Sequence, residues 1–184
     1  MTSKQKRLDV LKTEVSKCQS CRLWEGRAQI VFGEGNLDAK IMLVGEAPGA
    51  TEDETGRPFV GRAGKLLDSM IASMGLKREH VYIANICKCR PPGNRKPKQD
   101  EMDTCMQYLT TQLETIRPKI IVALGNTALG GLTGHDGGIS IRCGNWEGVG
   151  EYKLMPRMHP SALLRNPNWK AQAWYALQKV AKEL

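Results

Sequence analysis

Long apolar segments are missing from this sequence, and aromatic residues make up only 5% of it. No apolar run reaches the length of a membrane span, and the first residues lack the hydrophobic region of a secretion signal. Internal repeats and low-complexity segments are also missing. We therefore expect a soluble protein of the cytoplasm, where thiols stay reduced, with no membrane partner.

The length and the charge of the chain narrow its class further. At 184 residues it is long enough for one complete core but short for two, so we predict a single domain over residues 1–184. The net charge of +8 and the sequence pI of about 9.3 favour a polyanionic partner such as nucleic acid. Charge alone does not decide this, because many basic proteins bind no polyanion.

Four short segments rich in Ile, Val, Leu or Met are predicted to be buried strands: KIMLV (40–44), HVYIANI (80–86), KIIVAL (119–124) and YKLM (152–155). Helical patterns occupy residues 62–74, 97–116 and 168–184. Strands that alternate with helices predict an α/β fold, a three-layer αβα sandwich with a central, mostly parallel four-stranded sheet. In such folds the ligand site lies beyond the carboxyl ends of the strands.

The chain has six cysteines, at positions 18, 21, 87, 89, 105 and 143. The CQSC pair follows a polar helical segment rather than the strand-to-helix turn that is typical of a redox CxxC. A zinc ribbon would show a second CxxC within about 20 residues, and none is present. The spacing leaves three alternatives: an iron–sulfur cluster that ties the N-terminal segment to the body, a zinc site, and unliganded core thiols.

Polar residues follow three of the predicted strands. GEAPGATEDETGRPFVGRAG (45–64) has the composition of a site loop, and its acidic run at 52–54 is interpreted as a loop-shaping network or solvated face rather than a second base. Asn85 interrupts an apolar strand, so its amide is either a structural cap or the reader of a ligand edge. HPSALLRNP (159–167) places two leucines in a predicted exposed turn.

Four motifs, in order and over nearly the whole chain, resemble the family 4 uracil-DNA glycosylases, the iron–sulfur branch of that superfamily: GEAPG, GRPFVGRAGKLLD, YIANICKCRPPGNR and HPSALLRNP. The resemblance implies an enzyme of base excision repair that flips uracil out of double- or single-stranded DNA and hydrolyses its N-glycosidic bond, which leaves an abasic site. It also implies a 4Fe-4S cluster held by Cys18, Cys21, Cys89 and Cys105. Cys87 and Cys143 fall outside the pattern, and Cys87 is interpreted as a small buried hydrophobe.

The resemblance assigns the base-recognition residues. Asn85 would accept a hydrogen bond from uracil N3–H and donate one to O4, a pattern that cytosine reverses. Phe59 would stack on the base, and Gly45 and Ala47 would line its site; the alternative for Phe59 is a buried loop anchor.

Two residues are assigned to catalysis. His159 would donate to uracil O2, where negative charge develops, and Glu46 would hold the attacking water or the sugar cation. Family 1 enzymes carry an aspartate where this chain has Ala47, which excludes direct base catalysis from that position. Without the family context, His159 would be interpreted as a satisfied loop residue.

The leucines then suggest a wedge that fills the gap left by the flipped base. Leu163 is predicted to be its tip, with Leu164 beside it, and the alternative is that both are core residues. Contacts with DNA are expected from Ser161, Arg165, Arg90 and Arg95; the alternative for the basic loop is an ordinary solvated charge run. The expected protein is a monomeric, nucleoid-associated prokaryotic enzyme, with a replication clamp as a further candidate partner.

Two other classes of protein fit the sequence less well. A DNA-binding protein that traps uracil covalently would need an inserted KRRIH-type loop, which is absent. An iron–sulfur electron carrier or redox sensor would not need the base-reading residues.

Overall fold

The computed structural model describes residues 2–135 and 137–184. Its helices are α1 (Ser3–Ser16), α2 (Ala50–Thr55), α3 (Arg62–Ser73), α4 (Gln99–Ile116), α5 (Asn126–Thr133), α6 (Ile139–Arg142), α7 (Pro160–Arg165) and α8 (Lys170–Lys182). The strands are β1 (Glu34–Gly35), β2 (Ile41–Gly45), β3 (Tyr82–Asn85), β4 (Ile120–Leu124), β5 (Glu147–Val149) and β6 (Tyr152–Arg157). None of the helices in these ranges is both long and apolar enough to cross a membrane.

The strands form one sheet in the order β1-β3-β2-β4-β6-β5. The four central strands, β3, β2, β4 and β6, are mutually parallel, as predicted. The short strands β1 and β5 pair antiparallel at the two edges, and the sequence analysis missed both. Because the chain leaves β2 for β3 on one side and later reaches β4 on the other, the carboxyl end of β2 is a topological switch point.

Alternate residues of each central strand enter opposite cores, which makes the fold a three-layer sandwich. On β2, Met42 and Val44 face the core under α1 and α4, whereas Ile41 and Leu43 face the core under α3, α7 and α8. The strands are buried on both faces, so they appear in the sequence as continuous apolar runs.

The segment HPSALLRNP differs from its prediction. It forms the helix α7 instead of an exposed turn, because Pro160 occupies the first helical position, where its fixed φ and missing N–H are tolerated. Leu163 is completely buried in the core that α7 shares with α3, while Leu164 is half-buried. The prediction that Leu163 is the exposed tip of a wedge is therefore wrong.

The N-terminal helix α1 packs on α4. Its buried residues Leu8, Leu11 and Val15 join the core on that side of the sheet. At its start, the Lys4 ammonium donates to the Ile116 carbonyl at 3.3 Å. The polar helix that precedes CQSC therefore contacts the body of the domain through its own residues, independently of the cysteines.

Candidate active site and cysteine cavity

A pocket of about 770 Å³ opens at the carboxyl ends of the four parallel strands. Residues that follow every one of these strands line it, and they include Glu46, Ala47, Glu52, Phe59, Asn85, Arg95, Gly125, Thr127, His159, Ser161, Arg165 and Trp169. The pocket therefore brings together the sequence-predicted base-recognition and catalytic residues.

The floor of the pocket is formed where β2 and β3 end side by side. Gly45 pairs with Asn85 in the parallel ladder, and a side chain at Gly45 would collide with both the Asn85 Oδ1 atom and the Phe59 ring. Asn85 is 2% exposed, and its Oδ1 accepts no hydrogen bond from any described residue. A buried carbonyl oxygen that faces a pocket in this way suits a hydrogen-bond donor on a ligand.

Phe59 is held in a rarely used backbone conformation, with φ at 50°. Arg78 fixes it, because its guanidinium donates to the Phe59 carbonyl at 2.9 Å and also to the Pro58 carbonyl. Gly64 lies so close to the Phe59 carbonyl that any side chain there would collide with it. Backbone strain of this kind persists only where the surroundings enforce it, as they do in binding sites.

His159 lies at the start of α7, and its Nδ1 accepts a hydrogen bond from the Ser161 backbone N–H at 3.1 Å. A backbone N–H can only donate, so neutral His159 carries its proton on Nε2. Burial, with a smaller contribution from the positive charge of Arg165, lowers the pKa of His159 to about 4. The imidazole is therefore neutral near pH 7 and has one N–H available as a donor.

The acidic side chains of the loop after β2 divide into two kinds. Glu52 accepts from the backbone N–H groups of Val60 and Gly61 at 3.0 and 2.9 Å, and buried Asp53 accepts from that of Ala28 at 2.9 Å. These contacts make the run a loop-shaping network, one of the two interpretations offered above. Glu46 is half-buried in the pocket and makes no side-chain hydrogen bond to a described residue.

The basic side chains near the pocket differ in whether they already bind another side chain of the protein. Arg165 is exposed on the rim, and half-buried Arg90 donates to the Asn94 side chain at 2.7 Å. Arg95 forms a two-pronged ion pair with fully buried Glu101, at 2.9 and 2.7 Å, which lowers the pKa of that carboxyl to about 2. Much of the charge of Arg95 is therefore neutralised within the loop.

Four cysteines line a second, smaller cavity, between the end of α1 and α4: Cys18, Cys21, Cys89 and Cys105. Protein donors point at three of their sulfurs. The Tyr108 hydroxyl lies 3.1 Å from Cys18 Sγ, the Arg27 guanidinium 3.3 Å from Cys89 Sγ, and the Lys88 backbone N–H 3.3 Å from Cys105 Sγ.

Hydrogen bonds to sulfur stabilise thiolates, the form in which cysteine binds metal. Among the described residues, no three Cys, His, Asp or Glu side chains are gathered round one point as the ligands of a single metal ion would be. The four thiols lie around the walls of one cavity.

The other two cysteines lie outside this cavity, and both are buried. The Cys87 side chain is completely buried, in agreement with its interpretation as a small hydrophobe. Its proximity lowers the pKa of Cys105. Cys143 lies in the opposite core, under α8.

A family model described as the uracil DNA glycosylase superfamily matches residues 32–178. The chain belongs to the uracil DNA glycosylase superfamily. The matched residues include the pocket and two of the four cysteines that line the second cavity, while Cys18 and Cys21 precede them.

Curated relatives place the chain in the type-4 branch of the uracil DNA glycosylase superfamily. It is 46% identical over 170 residues to the type-4 uracil-DNA glycosylase of Thermotoga maritima, covering 90% of this chain and 88% of the relative. The type-4 enzyme of Saccharolobus solfataricus is 47% identical, with 87% and 78% covered, and that of Sulfurisphaera tokodaii is 45% identical, with 88% and 77% covered. The resemblance seen in the sequence is thereby confirmed.

Sequence reasoning missed three parts of this glycosylase pocket. Residues 125–127 follow the predicted strand β4, and the rule that directs attention beyond strand ends would have found them. Glu52 was included only as part of an acidic run. Trp169 lies at the rim and is 40% exposed. The one feature of the sequence that could have indicated it is the occurrence of a tryptophan, a rare residue, in a polar segment.

Proposed function

We propose that this chain excises uracil from DNA by hydrolysing the bond between uracil N1 and the deoxyribose C1′. The observation that carries the proposal is the buried Asn85 Oδ1, which faces the pocket beside Phe59 and has no hydrogen-bond partner among the described residues. Uracil N3–H would supply the missing donor, and the Asn85 amide would donate to O4. Cytosine presents an acceptor and a donor at those two atoms, so the same side chain rejects it.

In the proposed mechanism the C1′–N1 bond breaks and its electron pair leaves with the base. Negative charge then accumulates on uracil, much of it at O2, and the sugar becomes cationic. The neutral His159 stabilises the leaving base by donating from Nε2 to O2, while Ser161 holds the ring through Nδ1. Its low pKa means that His159 acts as a hydrogen-bond donor and not as a pre-formed cation.

Water must then add to C1′, and the proton that it loses neutralises the uracil anion, so that uracil leaves as the neutral base. Glu46, at the mouth of β2 in the pocket, is the residue that we assign to positioning this water and to stabilising the sugar cation. Ala47 has no side-chain group that could do so. Since stabilisation of the leaving group carries more of the barrier, we expect loss of Glu46 to be costly without abolishing the reaction.

The DNA would lie across the rim that α7 forms. Leu164 is the wedge in this proposal, since Leu163 is committed to the core. Arg165, Ser161 and Arg90 would contact the DNA backbone. Arg95, paired with Glu101, would chiefly shape the loop on which Arg90 is carried.

The four cysteines of the second cavity would hold a 4Fe-4S cluster, since four thiols from three chain segments share one cavity and three of their sulfurs receive hydrogen bonds. When bound, such a cluster supplies a structural cross-link among α1, the loop around Cys89, and α4. We infer that it makes the N-terminal segment part of one domain that spans the chain. No step of the base excision passes through it.

A glycosylase assay on matched oligonucleotides tests the function. Strands with one uracil, alone, opposite adenine and opposite guanine, should acquire an alkali-labile abasic site at the uracil. Strands with cytosine or thymine at that position should stay intact. Protein that binds the uracil strands but releases no base would contradict the proposal and favour a binding module.

A further inference from the structure

Lys88 is a completely buried lysine between the two sites described above. Its ammonium donates to the Asn85 backbone carbonyl at 2.9 Å and to the Gln112 side-chain oxygen at 2.7 Å. Gln112 is itself fully buried and donates to the Phe32 carbonyl at 2.9 Å. Both acceptors of the ammonium are neutral, and no described carboxylate forms an ion pair with it.

A buried ammonium is unfavourable unless an opposite charge is close. Thiols that can carry negative charge lie beside Lys88 in the cysteine cavity. Lys88 lines that cavity, its backbone N–H donates to Cys105 Sγ, and Cys89 follows it in sequence. Four thiolates around a cluster would supply the missing charge.

The ammonium end of the Lys88 side chain contacts the strand that carries Asn85. Asn85 ends β3, and its carbonyl receives the Lys88 ammonium while its side chain lines the base pocket. Lys88 thus connects the segment between Cys87 and Cys89 to the residue assigned to reading uracil. A charge-assisted hydrogen bond of this kind also orients its acceptor more firmly than a neutral one.

We propose that Lys88 is a positioning residue that couples the iron–sulfur cluster to base recognition: its buried ammonium takes its countercharge from the cluster thiolates and fixes the Asn85 backbone. The inference rests on the proposed function, because it requires both the cluster and the role of Asn85. It predicts that loss of the ammonium changes the cluster and the reading of uracil together.

The test compares Lys88→Met with Lys17→Met in the full-length, iron-loaded protein. Lys17 is exposed and adjacent to Cys18, so it supplies a charge removal near the same cavity without contact to Asn85. Measurements are iron per chain, the reduction potential of the cluster, and separate kcat and KM values on a uracil strand. Removing a buried positive charge disfavours the added electron, so Lys88→Met should lower the potential further than Lys17→Met does. Its kcat/KM should fall by about tenfold or more.

Each outcome is decisive. A potential and uracil kinetics like those of the parent protein would overturn the inference, and so would a change in only one of the two, because coupling requires both. If Lys88→Met cannot retain iron, Lys88→Arg decides: restored iron supports a requirement for a buried cation, and lost iron in both variants overturns it in favour of packing. Parent protein that excises uracil without iron would overturn the cluster and this inference but leave the glycosylase function standing.

Discussion

The rings of Phe59 and His159 adjoin each other in the pocket, with centroids 5.7 Å apart and planes inclined by 35°. Phe59 lies in the strained loop after β2, and His159 lies at the start of α7, after β6. The two rings therefore come from segments that follow different strands of the sheet. The group assigned to stacking and the group assigned to leaving-group stabilisation therefore face the same part of the pocket.

We expect His159→Gln to lower kcat by about 100-fold to 1,000-fold, because a single donor to a developing anion contributes this much in comparable sites. His80→Gln is the matched control, since it makes the same substitution at an exposed histidine that does not line the pocket. Its loss should be small. Single-turnover excision from a single-stranded substrate measures both, and equal losses for the two variants would refute the assignment.

The low pKa of His159 makes a prediction about stability. The unfolded chain takes up a proton at this residue near pH 6.5, whereas the folded protein resists until about pH 4. Stability is therefore complete above the unfolded pKa and falls as the pH drops towards the folded pKa, by about 3 kcal/mol at most. Urea denaturation between pH 4 and pH 7 should show a smaller fall for His159→Gln than for the parent protein. Parallel curves would show that burial does not depress this pKa.

Replacing Asn85 by aspartate should weaken uracil excision by about 100-fold and permit some release of cytosine. A protonated carboxylic acid can donate to cytosine N3 while its other oxygen accepts from N4. The backbone contact from Lys88 is unaffected, so the melting temperature should change little. Excision from paired uracil and cytosine oligonucleotides measures the shift, and unchanged uracil kinetics would remove Asn85 from the site.

Alanine substitutions of the two leucines of α7 should have different effects, one on excision from duplex DNA and the other on stability. Leu164→Ala should reduce excision most from U·A pairs, less from U·G mismatches and least from single strands, because a wedge matters most where unstacking costs most. Leu163→Ala should instead cost about 2–5 kcal/mol of stability and affect all three substrates equally. Melting curves and the three substrates, applied to both variants, separate packing from insertion into DNA.

The cysteine cavity predicts a coloured protein. The purified enzyme should be yellow-brown and contain iron, and Cys105→Ser should lose both while its solubility and melting temperature fall. Cys143→Ser is the control, since Cys143 lies in the opposite core. Colourless protein that carries zinc would overturn the cluster assignment.

The central strands could be predicted because each is an unbroken apolar run, and Asn85 because it interrupts one. The burial of Leu163 could not be predicted from the sequence, because it depends on packing against α3, about a hundred residues earlier in the chain. The roles of Glu52 and Asp53 likewise depend on partners at Val60, Gly61 and Ala28 that only the folded loop brings near. Periodicity reports local geometry, and contacts of this kind are not local.

The pairing of Gly45 with Asn85 at the centre of the sheet has a consequence for how the enzyme would fail. Central parallel strands open only when the whole domain unfolds, whereas a six-residue helix such as α7 can separate from the core at a smaller cost. Heat or denaturant would therefore displace His159 from the pocket, and Leu164 with it, before it separated Gly45 from Asn85. A partly melted molecule would thus still hold the residues assigned to reading the base after it had lost the leaving-group donor, so it would bind uracil without excising it.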